Sequence, residues 1–242
     1  TIVSFDFATS VVPGWHTTIF PPYFVAGAVF SGFAMVQTLL IITRRVFNLK
    51  EYITLEHIDV MNKIIVTTGS IVGIAYLTEL FVAWYSQNQF ESWAFMESRA
   101  NIFSPYGWAY YIMISCNVLS PQIFWSRKMR RNLTVTFFMS VIVNIGMWFE
   151  RFVIIVSSIY RDYIPSAWAT YYSPSIWEVG FYLGTFGLFF TCYFLFSKFF
   201  PVIALAEIKH ILKKSGDGYK AKMGGAEADT PEAFAHEMAH AH

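Results

Sequence analysis

From Phe7 to Thr43 the chain carries no Asp, Glu, Lys or Arg, yet Pro13, Pro21 and Pro22 interrupt the first half of that run. A proline in the first helical turn lacks only a donor that would have no partner there. A spanning helix is therefore predicted from Pro22 to Thr43, about 22 residues or roughly 33 Å. Phe5 to Phe20 then reads as an irregular or re-entrant lead-in. Four more apolar blocks follow, at about Met61 to Ser86, Gly107 to Trp125, Thr134 to Ile159 and Ser175 to Leu205, each long enough to cross a bilayer. The pattern predicts an all-α polytopic membrane protein of about five transmembrane helices. A lead-in occupies 1–21, the five-helix bundle 22–205, and an amphipathic end and flexible tail 206–242. Gly69 with Gly73, and Gly180 with Gly184, stand four residues apart, a spacing suited to close helix packing in lipid. Neither pair follows a strand, which argues against a phosphate-binding loop.

Composition agrees with the pattern. The 242 residues are 55% hydrophobic and only 14% charged, against about 25% charged in a typical soluble domain. A formal net charge of +1 provides no basic field for nucleic acid. Cys116 and Cys192 are too isolated for a disulfide framework, a zinc site or a cluster. No basic region or small-residue cleavage site marks Thr1 as the head of a signal peptide, so a processed chain or a fragment is expected. The cations gather after the first, third and fifth blocks: Arg44, Arg45, Lys50 and Lys63; then Arg127, Lys128, Arg130 and Arg131; then Lys209, Lys213, Lys214, Lys220 and Lys222. The opposite loops hold only Arg99 and Arg161. By the positive-inside rule the first group faces the cytoplasm, the amino end faces the periplasm and the carboxy end is cytoplasmic.

Ionisable side chains within spans cost about 2.5–3.5 kcal/mol each on insertion scales, so each is a functional candidate. Glu79, Glu150, Arg151, Glu178 and Lys198 are the cases here. Glu150 and Arg151 read either as structural pairs to other helices or as functional charges. Neighbours in sequence point about 100° apart, which favours separate partners. Asn144, seven residues before Arg151, shares its face. Glu79 has no cation in its own helix closer than Lys63, roughly 24 Å along the axis. It reads as a proton carrier or as a hydrogen-bonded structural carboxylate.

In the lead-in, Asp6 and His16 are the only titratable side chains, set among Phe5, Phe7, Trp15 and Phe20. Aromatics with one carboxylate and one imidazole suit a quinone ring and the protons released from a quinol. The alternative is an aromatic belt with a capping Asp and an exposed His. No paired histidines face each other within the spans, so haem and iron–sulfur clusters are expected only in partner subunits. His236, Glu237 and His240 spell the HExxH pattern of zinc peptidases, but in an Ala-rich tail with no cleft around it. No metal site is assigned to them.

The runs VVPGWHTTIFPPYFVAGAVFSGFAMV, LEHIDVMNK, LTELFVAWYS, GWAYYIMISCNVLSPQIFW and NIGMWFERFVII resemble the NrfD/polysulfide-reductase-like membrane subunits. They are most similar to the ActC-type quinol-oxidising subunit of alternative complex III. The resemblance spans about Ser4 to Leu205 and looks like the carboxy-terminal half of a two-bundle protein. It implies a menaquinol or ubiquinol pocket toward the periplasmic side, with Asp6 and His16 on or beside it as catalytic residues and Phe5, Trp15 and Phe20 packing the ring. Partners from the first half would complete the pocket. It further implies a proton path through Glu79, Glu150, Arg151, His57, Asp59 and Lys63. The implied partners are an iron–sulfur subunit, c-type haem subunits and other membrane subunits in a bacterial inner membrane. A proton-coupled transporter, or a structural anchor of the ActF type, are the rival functions.

Overall fold

The computed structural model describes residues 1–12, 14–47, 53–159 and 172–200, and the described residues form helices and turns with no strand. Among the described residues, four helices are long and apolar enough to cross a membrane: α2 (Phe20–Val46), α3 (Leu55–Ser86), α7 (Leu133–Ile159) and α8 (Ile176–Phe199). The chain is a multi-pass membrane protein.

The helix starts follow from local chemistry. Pro21 and Pro22 occupy the first turn of α2, close to the expected start. Helix α3 begins earlier than the hydrophobic run that announced it. The Thr54 side chain and His57 close a capping box, with the Thr54 amide donating to His57 Nδ1 at 3.3 Å. Asn132 Oδ1 accepts from the Thr134 and Val135 amides at 3.0 and 3.3 Å, which sets the first turn of α7.

Two expectations are corrected. The lead-in is not irregular throughout, because Ile2–Ala8 forms a helix, α1, before the turn in which Gly14 takes a φ of +89°. The third block does run helically from 107 to 125, but in three forms: α5 (Gly107–Ile114), a π-helical turn (Ser115–Leu119) and a 3-10 turn (Ser120–Trp125). Pro121 has no amide hydrogen to give, and the Ser120 hydroxyl donates to the Cys116 carbonyl at 2.6 Å. Between these blocks lie two single-turn helices, α4 (Gln89–Ser92) and α6 (Arg127–Arg130), and a second π-helical segment, Trp93–Ala100.

Residues 1–173 make one compact unit. Helix α2 buries Phe20, Tyr23, Gly27, Phe30, Ala34 and Gln37, and α7 buries Thr136, Ser140, Val143, Met147, Glu150, Ile154 and Ser157, both at alternating three- and four-residue spacing. Their outward faces carry large apolar side chains, as does α3 with Ile71, Ile74, Leu77 and Phe81, which is what lipid or another membrane subunit requires. Small residues allow the close approaches. A Cβ built on Gly69 would lie 2.9 Å from Phe30 Cε2, and one on Gly73 3.2 Å from Val118 Cγ1. The tightest crossing is at Gly146 of α7, where a Cβ would fall 2.2 Å from Asn117 Oδ1 and 2.5 Å from Cys116 Cβ.

The second unit begins at Pro174. In it α8 starts on a capping box: the Ser175 amide donates to Glu178 Oε2 at 2.6 Å and the Glu178 amide to Ser175 Oγ at 3.3 Å. Glu178, one of the intramembrane candidates, is thus a helix cap. Lys198 stands in the last turn of α8, its Nζ 5.8 Å from the Phe199 ring centroid. Space beside Gly180 and Gly184 is open within this unit. Residues 201–205 of the expected fifth span, the tail and the HEMAH motif lie outside the described residues.

Replacing Gly146 by Val should therefore lower the thermal stability of the purified protein by the equivalent of about 1–3 kcal/mol of overpacking. Gly32→Ala, where no atom lies within 4 Å of the added carbon, serves as the neutral control.

Candidate functional site

Three polar groups are built into the first unit. The first is buried where α2, α3, the Ser115–Leu119 turn and α7 meet. Glu150 is 1% exposed, and its Oε2 accepts from the Tyr76 hydroxyl at 2.6 Å and from Asn117 Nδ2 at 3.2 Å. Asn117 Nδ2 also donates to the Tyr76 hydroxyl oxygen at 3.1 Å. The Tyr23 ring meets Tyr76 edge-on at 5.6 Å, and its hydroxyl is near enough to act on the same carboxylate. Glu150 Oε1 lies 3.6 Å from Arg151 Nη1, whose guanidinium covers the Phe24 ring at 4.6 Å. The two neighbours therefore do pair with each other, against the expectation of separate partners. The long arginine side chain bends back across the 100° that divides them. Asn144 does share the face that Arg151 presents to α2, donating to Thr38 Oγ1 at 3.4 Å.

Glu79 lies one turn further along α3. Its Oε1 is buried without a hydrogen-bond partner, and Arg99 and Glu150 are the charges that act on it. Arg99 comes from the Trp93–Ala100 segment and is 4% exposed. Its Nε donates to Ser157 Oγ at 3.3 Å, its Nη2 to Ser158 Oγ at 2.8 Å, and its guanidinium stacks 4.4 Å from the Phe95 centroid. Burial pulls its proton affinity below the ordinary guanidinium value, and Glu79 acts in the opposite sense.

The second group is the lead-in, docked on this same end. A Cβ on Gly14 would sit 3.0 Å from Arg99 Nη2, so the turn lies directly on the guanidinium. Trp15 Nε1 donates to the Ile154 carbonyl at 2.7 Å, and Phe7, Trp15, Phe20 and Phe24 form a continuous aromatic wall. His16 Nε2 pairs with Glu91 Oε1 at 2.7 Å, and its Nδ1 lies 3.1 Å from the Val12 carbonyl. Phe20 is buried in the core and Trp15 is partly buried. Phe5 and Asp6 are exposed, and Asp6 makes no hydrogen bond or ion pair among the described residues.

The third group is at the basic end. Asp59 receives Arg130 Nε at 2.7 Å and Lys63 Nζ at 3.0 Å, with Arg131 Nε at 3.8 Å. Beside it, Asn62 Nδ2 donates to the Arg130 carbonyl at 2.8 Å and to Thr136 Oγ1 at 2.9 Å. Asn62 Oδ1 accepts from Gln37 Nε2 at 3.0 Å, and Gln37 Oε1 accepts from Ser140 Oγ at 3.0 Å. His57 is exposed and occupied with its helix cap.

A family model described as "Polysulphide reductase, NrfD" matches residues 2–161, which include all three groups. The chain belongs to this family. NrfD subunits are membrane parts of quinone-interacting redox complexes, and they usually partner iron–sulfur and other redox subunits. No curated protein matches the chain.

Of the residues proposed from sequence for this NrfD chain, Glu79, Glu150 and Arg151 gather at the end that carries the lead-in, whereas Asp59 and Lys63 gather at the other. Sequence reading passed over Arg99, Tyr76, Tyr23, Asn117 and Glu91. Asn117 and Tyr76 were detectable as polar groups inside apolar blocks. Arg99 was counted only as a loop cation, and nothing in its own segment points to Ser157 and Ser158.

Because Asp59 is 7% exposed at its side chain and anchors Arg130, Asp59→Leu should cost about 3–5 kcal/mol. The double variant Asp59→Leu/Arg130→Met should recover much of that loss, as read from thermal unfolding of the purified protein.

Proposed function

We propose that this chain is a quinol-oxidising membrane subunit of an alternative complex III, of the ActC type. In this reading it binds menaquinol or ubiquinol at the lead-in end and contributes to proton transfer in a bacterial inner membrane. Its support is the family match together with one observation: the aromatic wall of Phe7, Trp15 and Phe20 packs on the cluster that contains Tyr23 and Tyr76, directly beside a buried carboxylate. A quinone ring needs an apolar, aromatic surface with polar groups at its two oxygens.

Oxidation of a quinol to a quinone releases two electrons and two protons. His16 takes one proton at a ring nitrogen; Glu91, 2.7 Å away, orients the ring. Asp6 takes the other. Its exposure requires that the far wall of the pocket come from another helical bundle of the complex. Glu79, Glu150 and Arg151 receive protons from this end. An iron–sulfur cluster in a partner subunit would accept the electrons, and c-type haem subunits would carry them onward. The excess of cations at the opposite end supports a periplasmic lead-in.

A second reading, an anchor subunit of the ActF type without a quinol site, draws on the exposure of Asp6 and Phe5. Asp6→Asn and His16→Gln separate the two. In the assembled complex each should lower quinol-to-acceptor turnover by about a hundredfold or more, the usual contribution of a general base, with subunit and haem content unchanged. Full turnover in both variants would leave the anchor.

A further inference from the structure

The first and third polar groups share the same three long helices but do not touch. Along α7 the distance from Ser140 to Glu150 is ten residues, roughly 15 Å. The space between is filled by Phe30, Ala34, Ile65, Phe124, Val143 and Met147, all buried. This layer is close-packed: Phe30 Cε2 lies where a Gly69 side chain would begin, at 2.9 Å, and Met147 Cε is 3.5 Å from the corresponding point on Gly27.

The hydroxyls nearby do not bridge it. Thr68 donates to Ile64 O and Ser70 to Val66 O, both at 2.7 Å, closing onto their own helix. Asn144 reaches furthest from the basic end, but its acceptor, Thr38 Oγ1, donates in turn to the Ala34 carbonyl at 2.9 Å, and the chain of polar contacts stops there. From Asn144 to Glu150 about 9 Å of helix remain; Asn117 Oδ1, part of the Glu150 group, reaches Gly146 within that stretch, and the Ser31 hydroxyl of α2 closes onto the Ala28 carbonyl at 3.3 Å. A small apolar gap stays dry, and a dry gap does not relay a proton.

On the other side the situation is reversed. Glu79 Oε1 and Ser98 Oγ, the latter beside Arg99, are buried without partners at the lead-in end, while the unpaired Asn117 Oδ1 lies against Gly146. Glu79 is the member of the carboxylate pair nearer that end, next to Leu80 and Ala83, which pack against Ala94 and Phe95 of the segment bearing Arg99.

We infer that Glu79 and Glu150 exchange protons with only one end of the bundle, the end that carries Arg99, His16 and Glu91, and that the apolar layer insulates them from the Asp59 cluster. The Asp59 and Asn62 groups are then a structural clamp on the basic end. This holds whatever molecule supplies the proton, so it stands apart from the quinol reading.

The test is passive proton uptake by the intact complex in liposomes, driven by a potassium potential and followed with a trapped pH dye, with no quinol present. The wild type should be tight, and Asp59→Asn should not change it. Val143→Thr/Met147→Gln, which places polar atoms in the layer at nearly constant volume, should raise uptake about tenfold, the worth of roughly one hydrogen bond. Adding Glu150→Gln should then reverse the rise. If that pair does not assemble, Val143→Thr alone carries the same expectation at smaller size. A wild-type conductance that either Asp59→Asn or Glu150→Gln abolishes would overturn the inference, as would a layer variant as tight as the wild type.

Discussion

A carboxylate placed among hydrocarbon side chains must be given donors, and Glu150 obtains them because the helix facing it changes form. The π-helical turn at Ser115–Leu119 presents Asn117, and Gly146, one turn before Glu150, leaves the space into which the amide reaches. Tyr76 completes the set from α3. Each of the three helices is thereby held in rotation as well as in distance, since turning any of them would strand a polar group with no water to replace its partner. The aromatic wall and the docked lead-in rest on that arrangement through Tyr23, which joins the Phe20 cluster to Tyr76.

Much of the framework was legible in the sequence. The charge-free run after Pro22, the proline start of α2 and the extent of α7 follow from hydropathy and punctuation, which depend on neighbours within one helix. What could not be read depends on contacts between helices. The early start of α3 lay in a Thr54–His57 cap that a hydropathy window ignores. The broken third block was concealed because its composition is as apolar as a regular span.

The candidate site divides in the same way. Glu79, Glu150 and Arg151 were visible as charges in apolar surroundings, whereas Tyr76 and Asn117 were detectable only as polar groups in apolar blocks, with nothing in either block to pair them with Glu150. Arg99 is the clearest case. Its segment is amphipathic and loop-like, and only the packing of the Trp93–Ala100 turn against α7 converts a countable surface cation into a buried one held by two serines. The lead-in was recognised as aromatic and titratable, but the partner of His16 is Glu91, seventy-five residues away in sequence.

The π-helical turn also bears on what changes in chain length the protein can accept. Such a turn is a helix with one residue more than its hydrogen-bond ladder needs. Removing any single residue between Ser115 and Leu119 would let the ladder close as an ordinary α-helix, with the span still predominantly apolar and still long enough. Yet the residues on either side of the cut would be re-phased by about 100°, so either Asn117 or Phe124 would turn toward lipid. An alignment that places a gap there would look harmless by hydropathy and would remove the donor on which the buried carboxylate depends.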